Sequence, residues 1–173
     1  MINDAGKKAP EIVNVVIEIP KGSNVKYEYR EESGMMEADR VLFTAMAYPF
    51  NYGFVPGTMG GDNDPLDIVV ISGASFSTNT LVKARPIGVL HTKDEEGVDS
   101  KVIAVPIEKV DPEFANVKEI ADLNDALKKK IAHFYSYYKS IEPGKWVEVT
   151  GWTGAKEARA EVAAAMKKGG AHQ

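Results

Sequence analysis

The chain contains no cysteine, which excludes a disulfide framework, a thiolate zinc site and a cysteine nucleophile. Histidine is scarce as well: His91, His133 and His172 stand far apart and form no metal-ligand spacing. No apolar run approaches the length of a membrane span. The start, Met1-Ile2-Asn3-Asp4-Ala5-Gly6-Lys7-Lys8, lacks the apolar core of a secretory signal. A basic excess is also missing: 21 Lys and Arg stand against 25 Asp and Glu, a net charge of −4. That balance speaks against a general nucleic-acid binder. There is no internal repeat, no linker and nothing like a phosphate-binding P-loop. These absences lead us to expect a cytoplasmic protein, without membrane or nucleic-acid partners, folded as one domain over residues 1–173. Residues 1–11 read as a polar lead-in and 169–173 as a disordered tail. The length suffices for a real core without disulfides or structural metal.

What is present is punctuated β-structure followed by helix. Val13 to Ile19 is a β-branched strand stopped by Pro20, with Glu18 the exception inside it. Val25 to Tyr29 alternates, placing Lys26 and Glu28 together on one face; taken alone, that pair is a solvated face. A hairpin turn over Glu31 to Met36 returns through Asp39-Arg40. Ala47 to Pro56 is too broken for a helix and too aromatic for a mobile loop. Core packing accounts for it, with Tyr48 and Tyr52 free to turn hydroxyls into a polar cleft.

Leu66 to Ile71 is a buried strand, and Leu81 to Leu90 is a strand broken at Arg85-Pro86 and Gly88. An acidic hairpin with Glu96-Gly97 at its tip leads to the strand Val102 to Pro106. Asp122-Leu123-Asn124-Asp125 resembles a capping box. Leu127, Ile131, Phe134, Tyr138 and Ile141 line one face of a helix ending before Pro143-Gly144. Trp146 to Val149 is a last short strand, and Thr153 caps a final helix running to Met166. Roughly seven short strands and two late helices predict an α+β fold: a small closed antiparallel β-barrel, OB-like, with a long helix and a C-terminal helix packed outside. A parallel sheet is not expected, because the early strands lack crossover helices.

Chemistry concentrates in Gly61-Asp62-Asn63-Asp64-Pro65-Leu66-Asp67. Three carboxylates within six residues, running into an apolar strand, raise each other's pKa and are costly unless a cation compensates them. Oxygen-only ligands suit hard divalent ions. An EF-hand would want Gly at the sixth position from Asp62 and Glu at the twelfth; Asp67 and Gly73 stand there. A metal-dependent phosphoryl hydrolase needs such carboxylates and, facing them, Arg, Lys and Tyr donors. Candidates are the second acidic group Asp94, Glu95 and Asp99, the cations Lys26, Arg40, Lys101 and Lys139, and the phenols Tyr48, Tyr52 and Tyr138. Spacing alone does not bring them together.

The motif Asp62-x-Asp64-Pro65-x-Asp67 followed by Ile68 resembles the signature of the family I soluble inorganic pyrophosphatases of the short bacterial or archaeal type. Further matches in order are Val16-Ile17-Glu18-Ile19-Pro20, Lys26-Tyr27-Glu28, Asp39-Arg40, Tyr48-Pro49-x-Asn51-Tyr52-Gly53, Asp94-Glu95 with Asp99-x-Lys101, and Tyr138-Lys139. The resemblance implies hydrolysis of inorganic pyrophosphate to two orthophosphates by in-line attack of a metal-activated hydroxide, without a covalent intermediate. It implies several Mg²⁺ ions per site, with Mn²⁺, Zn²⁺ or Co²⁺ as substitutes. By residue, it implies Asp62, Asp67, Asp99, Asp94, Glu18 and Glu95 around the metals and Asp64 as general base. Lys26, Arg40, Tyr52, Lys101, Tyr138 and Lys139 are implied as phosphate ligands, with Glu28 and Tyr48 in support. It also implies a homohexamer with helix residues at its contacts; His133, off the apolar stripe, is expected at the surface or a subunit interface rather than in catalysis.

Overall fold

The computed structural model describes residues 3–170. Its strands are β1 (Val13–Ile19), β2 (Val25–Arg30), β3 (Met35–Val41), β4 (Asn51–Val55), β5 (Leu66–Val70), β6 (Leu81–Asp94), β7 (Gly97–Val98), β8 (Lys101–Pro106) and β9 (Val147–Gly154). Two α-helices, α1 (Asp125–Tyr137) and α2 (Ala155–Gly170), come late, as expected for an α+β chain. Seven strands share one sheet, and β2 and β3 form a separate hairpin. Within the large sheet β1 pairs with β4, β4 with β5, β5 with β8, β8 with β6, and β6 back with β1. One of these pairings, β5 with β8, is parallel, contrary to the wholly antiparallel expectation. The connection between them contains the long strand β6 rather than a helix.

Strand periodicity sorts the core. Leu66, Ile68 and Val70 enter one apolar cluster, and Val69 and Ile71 enter the other. Likewise Val102 and Ala104 face the first cluster, Ile103 and Val105 the second. Successive side chains point to opposite faces, so strands covered on both faces read as continuous apolar runs. Helix α2 closes the first cluster with Ala158, Val162 and Ala165, and α1 closes the second with Ile131 and Phe134.

Several boundaries differ from expectation for identifiable reasons. Pro86 and Gly88 do not break β6; they mark a bulge in its pairing with β8, and the strand runs 14 residues. Asn124, not Asp122, caps α1 by accepting from the Ala126 amide at 2.8 Å. Asp122 instead closes a capping box with Glu119 on the 3₁₀ turn Ile120–Asp122. Helix α1 ends at Tyr137, earlier than its apolar stripe suggested, and Ile141 is exposed. Thr153 lies in β9 rather than at a cap, and the Ala155 amide that opens α2 donates to the Glu119 carboxylate at 2.9 Å. Helix α2 continues through Gly169 and Gly170, so the tail expected from 169 is helical there; 171–173 lie outside the described residues.

Candidate active site

The face of the sheet that carries Val69 on β5 also carries Asp67, and the face that carries Ile103 and Val105 on β8 also carries Lys101. The parallel register of β5 and β8 brings these two side chains together, with Lys101 Nζ 2.6 Å from Asp67 Oδ2. Tyr52, on β4 opposite Val69, accepts a hydrogen bond from Lys101 Nζ at 3.1 Å. Glu18 sits where the β1–β4 register shifts between Ile17 and Ile19. A bulge there re-aims the side chain, which accounts for a carboxylate inside a mostly apolar strand. The Glu18 carboxylate accepts from the Tyr29 amide at 2.8 Å, tying β2 to β1.

The acidic loop between β4 and β5 is shaped by its own hydrogen bonds. Asp62 Oδ1 accepts from the Asp64 amide at 3.1 Å, Asn63 takes the left-handed conformation, and Gly60 N donates to Asp64 O at 2.6 Å. Buried Thr58 closes the base: its hydroxyl donates to Val55 O and accepts from Leu66 N at 2.9 Å. Asp99 arrives from the far side of the β6–β7 hairpin. Its backbone is held by Thr92, whose carbonyl accepts from Asp99 N at 2.9 Å and whose hydroxyl donates to Asp99 O. One oxygen each of Asp62, Asp67 and Asp99 then lie within 4.8 Å of one another.

This centre opens on a polar cavity of about 950 Å³ lined by every residue singled out from the sequence: the acids Glu18, Glu28, Asp62, Asp64, Asp67, Asp94, Glu95 and Asp99, the cations Lys26, Arg40, Lys101 and Lys139, and the phenols Tyr48, Tyr52 and Tyr138. They are not all in contact. Asp94 and Glu95 stand apart from the three-aspartate cluster, held by Lys139 at 3.0 and 3.2 Å. Lys145 also meets Glu95 at 3.1 Å. Arg40 lies between Asp39, at 2.7 Å, and the buried carboxylate of Glu142. Lys26 reaches Asp39 at 3.8 Å.

Sequence reasoning missed Thr58, Glu142, Lys145 and Tyr135. The first three belong to no motif, and only their partners reveal them. Tyr135 lines the cavity, and its buried hydroxyl has no hydrogen-bond partner among the described residues. Its ring packs with Phe50 and Tyr138 in the aromatic group that fastens α1 to the segment leading into β4.

Lys101 is almost fully buried, and desolvation opposes its charge. Asp67, Tyr52 and Asp99 outweigh that cost and hold the ammonium well above its ordinary pKa. Burial pushes Asp99 up, as does neighbouring Asp67, against the pull of Lys101. Asp64 is raised by burial and then by Asp62 and Asp67, which makes it a better proton acceptor than an isolated aspartate. Glu95 goes the other way: against desolvation, hydrogen bonds from backbone amides, Lys145 and Lys139 hold it down at about 2.

Glu18 is pushed up to about 7, first by burial and then by Asp67 and Glu28, although the Tyr29 amide opposes the shift. Without metal, the folded protein therefore holds a proton here that the unfolded chain releases near its ordinary value of 4.5. The associated stability is fully present below about 4.5 and is lost as pH rises through about 7. We expect metal-free wild-type protein to lose about 3 kcal/mol more across this window than Glu18→Gln. Urea midpoints in chelator at both ends of the window check this, and parallel pH profiles would remove the effect.

The donors fit a hard divalent cation. They are oxygen only, and three carboxylates against one ammonium leave a formal charge of −2 at the cluster. The inorganic pyrophosphatase family model matches residues 15–169. The inorganic pyrophosphatase of Sulfolobus acidocaldarius is 53% identical over 163 residues, 94% of each chain. That of Saccharolobus solfataricus is 51% identical over 163 residues, 94% of this chain and 95% of the relative. The crystal structure of the inorganic pyrophosphatase from Thermus thermophilus superposes with a TM-score of 0.93 at 43% identity, covering 96% of this chain and 95% of that one.

Proposed function

The chain belongs to the inorganic pyrophosphatase family and hydrolyses inorganic pyrophosphate to orthophosphate; we propose that it does so with divalent metal, Mg²⁺ foremost, held by Asp62, Asp67 and Asp99. The observation that carries this reading is the meeting of those carboxylates with buried Lys101 beside a cavity rich in Arg, Lys and Tyr. Asp94, Glu95 and Glu18 are the carboxylates for further ions. When bound, such ions lower the pKa of water and neutralise phosphate charge.

The chain's own groups do the rest. Lys26, Arg40, Tyr52, Lys101, Tyr138 and Lys139 take the phosphate oxygens, and Glu28 and Tyr48 support them. Lys101 is held charged before substrate arrives, so it meets developing negative charge without reorganisation. Asp64 accepts the proton of the attacking water. The P–O bond to the departing phosphate breaks in line, with no covalent phosphoenzyme. Asp94 and Glu95 hold Lys139 in place at the cavity. Consuming pyrophosphate drives forward the biosynthetic reactions that release it.

Phosphate release from pyrophosphate, ATP and tripolyphosphate, each with Mg²⁺ and with chelator, tests the reading. We expect Mg²⁺-dependent release from pyrophosphate and at least a tenfold preference over ATP. Activity surviving chelator, or favouring ATP under Mg²⁺, would overturn it.

The proposal extends to a single domain over the chain, a cytoplasmic location, and reading the five-strand circuit as a small closed OB-like barrel. The return pairing of β6 onto β1 supports the last point. We further propose a homohexamer. The exposed apolar side chains Phe43 and Tyr137 support it, and the His133 ring lies tilted against Tyr137 on the outer face of α1 with ring centroids 5.0 Å apart.

A further inference from the structure

Both ends of the described chain close on the base of the acidic loop. Gly57 precedes that loop with φ +73°, a conformation that favours glycine. A Cβ at Gly57 would lie 2.6 Å from the Asn3 carbonyl oxygen and 2.8 Å from Asp4 Cα. From α2, a Cβ at Gly169 would lie 2.4 Å from the Gly57 carbonyl oxygen and 3.0 Å from Thr58 Cα. One turn earlier in α2, Ala165 O accepts from the Met59 amide at 2.9 Å. Three consecutive residues, Gly57, Thr58 and Met59, thus meet the backbone of α2, Gly57 is closed in from the N-terminal side as well, and Asp62 follows three residues later.

We propose that the last turn of α2 positions the metal loop, and that Gly169 is the positioning residue because its missing side chain sets how close the helix comes. This rests on the reading of Asp62, Asp67 and Asp99 as metal ligands. Glycine is a poor helix former, so its place here answers to packing rather than to helix propensity. The contacted atoms at Gly57 and Thr58 are backbone, which cannot rotate aside as a flexible side chain would. A methyl group at Gly169 must shift either the helix end or the limb that leads to Asp62. Asp67 and Asp99 cannot follow, since Asp67 is fixed within β5 and Asp99 is fixed by Thr92. The cluster therefore opens on the Asp62 side. Gly170, one residue on, has nothing within 4 Å of an added Cβ among the described residues, and so supplies a control in the same helical turn.

Isothermal titration of chelator-treated full-length protein with Mg²⁺ alone, and of Mn²⁺ followed by paramagnetic resonance, reads the effect without turnover. Gly169→Ala should raise the dissociation constant about tenfold, whereas Gly170→Ala should match wild type. Activity should show the same split: more Mg²⁺ for half-maximal rate in Gly169→Ala, with the rate at saturating Mg²⁺ within about twofold of wild type.

Coupling of this kind is reciprocal, so wild-type protein carries an independent readout should Gly169→Ala fold poorly. Mg²⁺ should slow hydrogen exchange at the Met59 amide and in the last turn of α2. Unchanged affinity in Gly169→Ala, or equal loss in Gly170→Ala, overturns the inference, as does wild-type exchange at Met59 that ignores Mg²⁺. A wild-type chain that binds no Mg²⁺ overturns the metal reading itself.

Discussion

Asp67→Asn should lower turnover at saturating Mg²⁺ by about a thousandfold or more, which is about 4 kcal/mol of lost transition-state stabilisation. The substitution keeps the shape of the side chain and removes its charge. One of three clustered carboxylates then becomes a neutral, weaker ligand. The formal charge at the cluster falls from −2 to −1, so the demand for a divalent ion falls with it. The fold should persist, because Lys101 keeps Asp99 at 3.2 Å and Tyr52 at 3.1 Å. Phosphate release and the thermal midpoint, measured on the same preparation, decide the matter. Ordinary activity in this variant would remove Asp67 from the metal site.

Lys101→Met is expected to show a different signature. The loss of a preorganised donor to phosphate oxygen lowers kcat by about a hundred- to a thousandfold. In the metal-free protein, Asp67 and Asp99 are left facing each other and Asp62 without an internal cation. Breaking a buried pair by removing one partner costs about 3–5 kcal/mol, and the partial exposure of both aspartates places this case at the lower end. Mg²⁺ should therefore raise the urea midpoint of Lys101→Met by more than that of wild type, while leaving kcat low. An equal response to Mg²⁺ in the two proteins would mean that Lys101 does not serve as the cluster's internal counter-charge.

Much of this site was legible in one dimension because its carboxylates are crowded along the chain. Asp62, Asp64 and Asp67 fall within six residues, and their mutual repulsion alone points to a cation. Asp94, Glu95 and Asp99 stand on one acidic hairpin in the sequence, and the family resemblance implies a place around the metals for all three. The structure divides that group: Asp99 joins the cluster, and Asp94 and Glu95 turn to Lys139. The difference comes from the hairpin. Asp94 pairs with Gly97 in its ladder, whereas Asp99 follows β7 on the returning limb, pinned to Thr92. Five residues of separation carry no sign of that divergence.

The helices tell the same story. Leu127, Ile131 and Phe134 were enough to place α1, since helical periodicity is local. They did not say where it stops. The chain leaves the helix after Tyr137 and turns, so that Tyr138 and Lys139 line the cavity and Glu142 reaches Arg40 across 102 residues.

By itself, then, the sequence determined most of the strands, the two helices, the oxygen-only character of the clustered donors and the compartment-neutral absence of thiol chemistry. These follow from periodicity and residue type, which act over a few neighbours. Only the tertiary structure decided which charges meet. It set the parallel register that puts Lys101 against Asp67, the bulge that turns Glu18 inward, and the grip of α2 on the acidic loop. Electrostatic energy depends on separation in space and on burial, and both are set by the pairing of strands far apart along the chain.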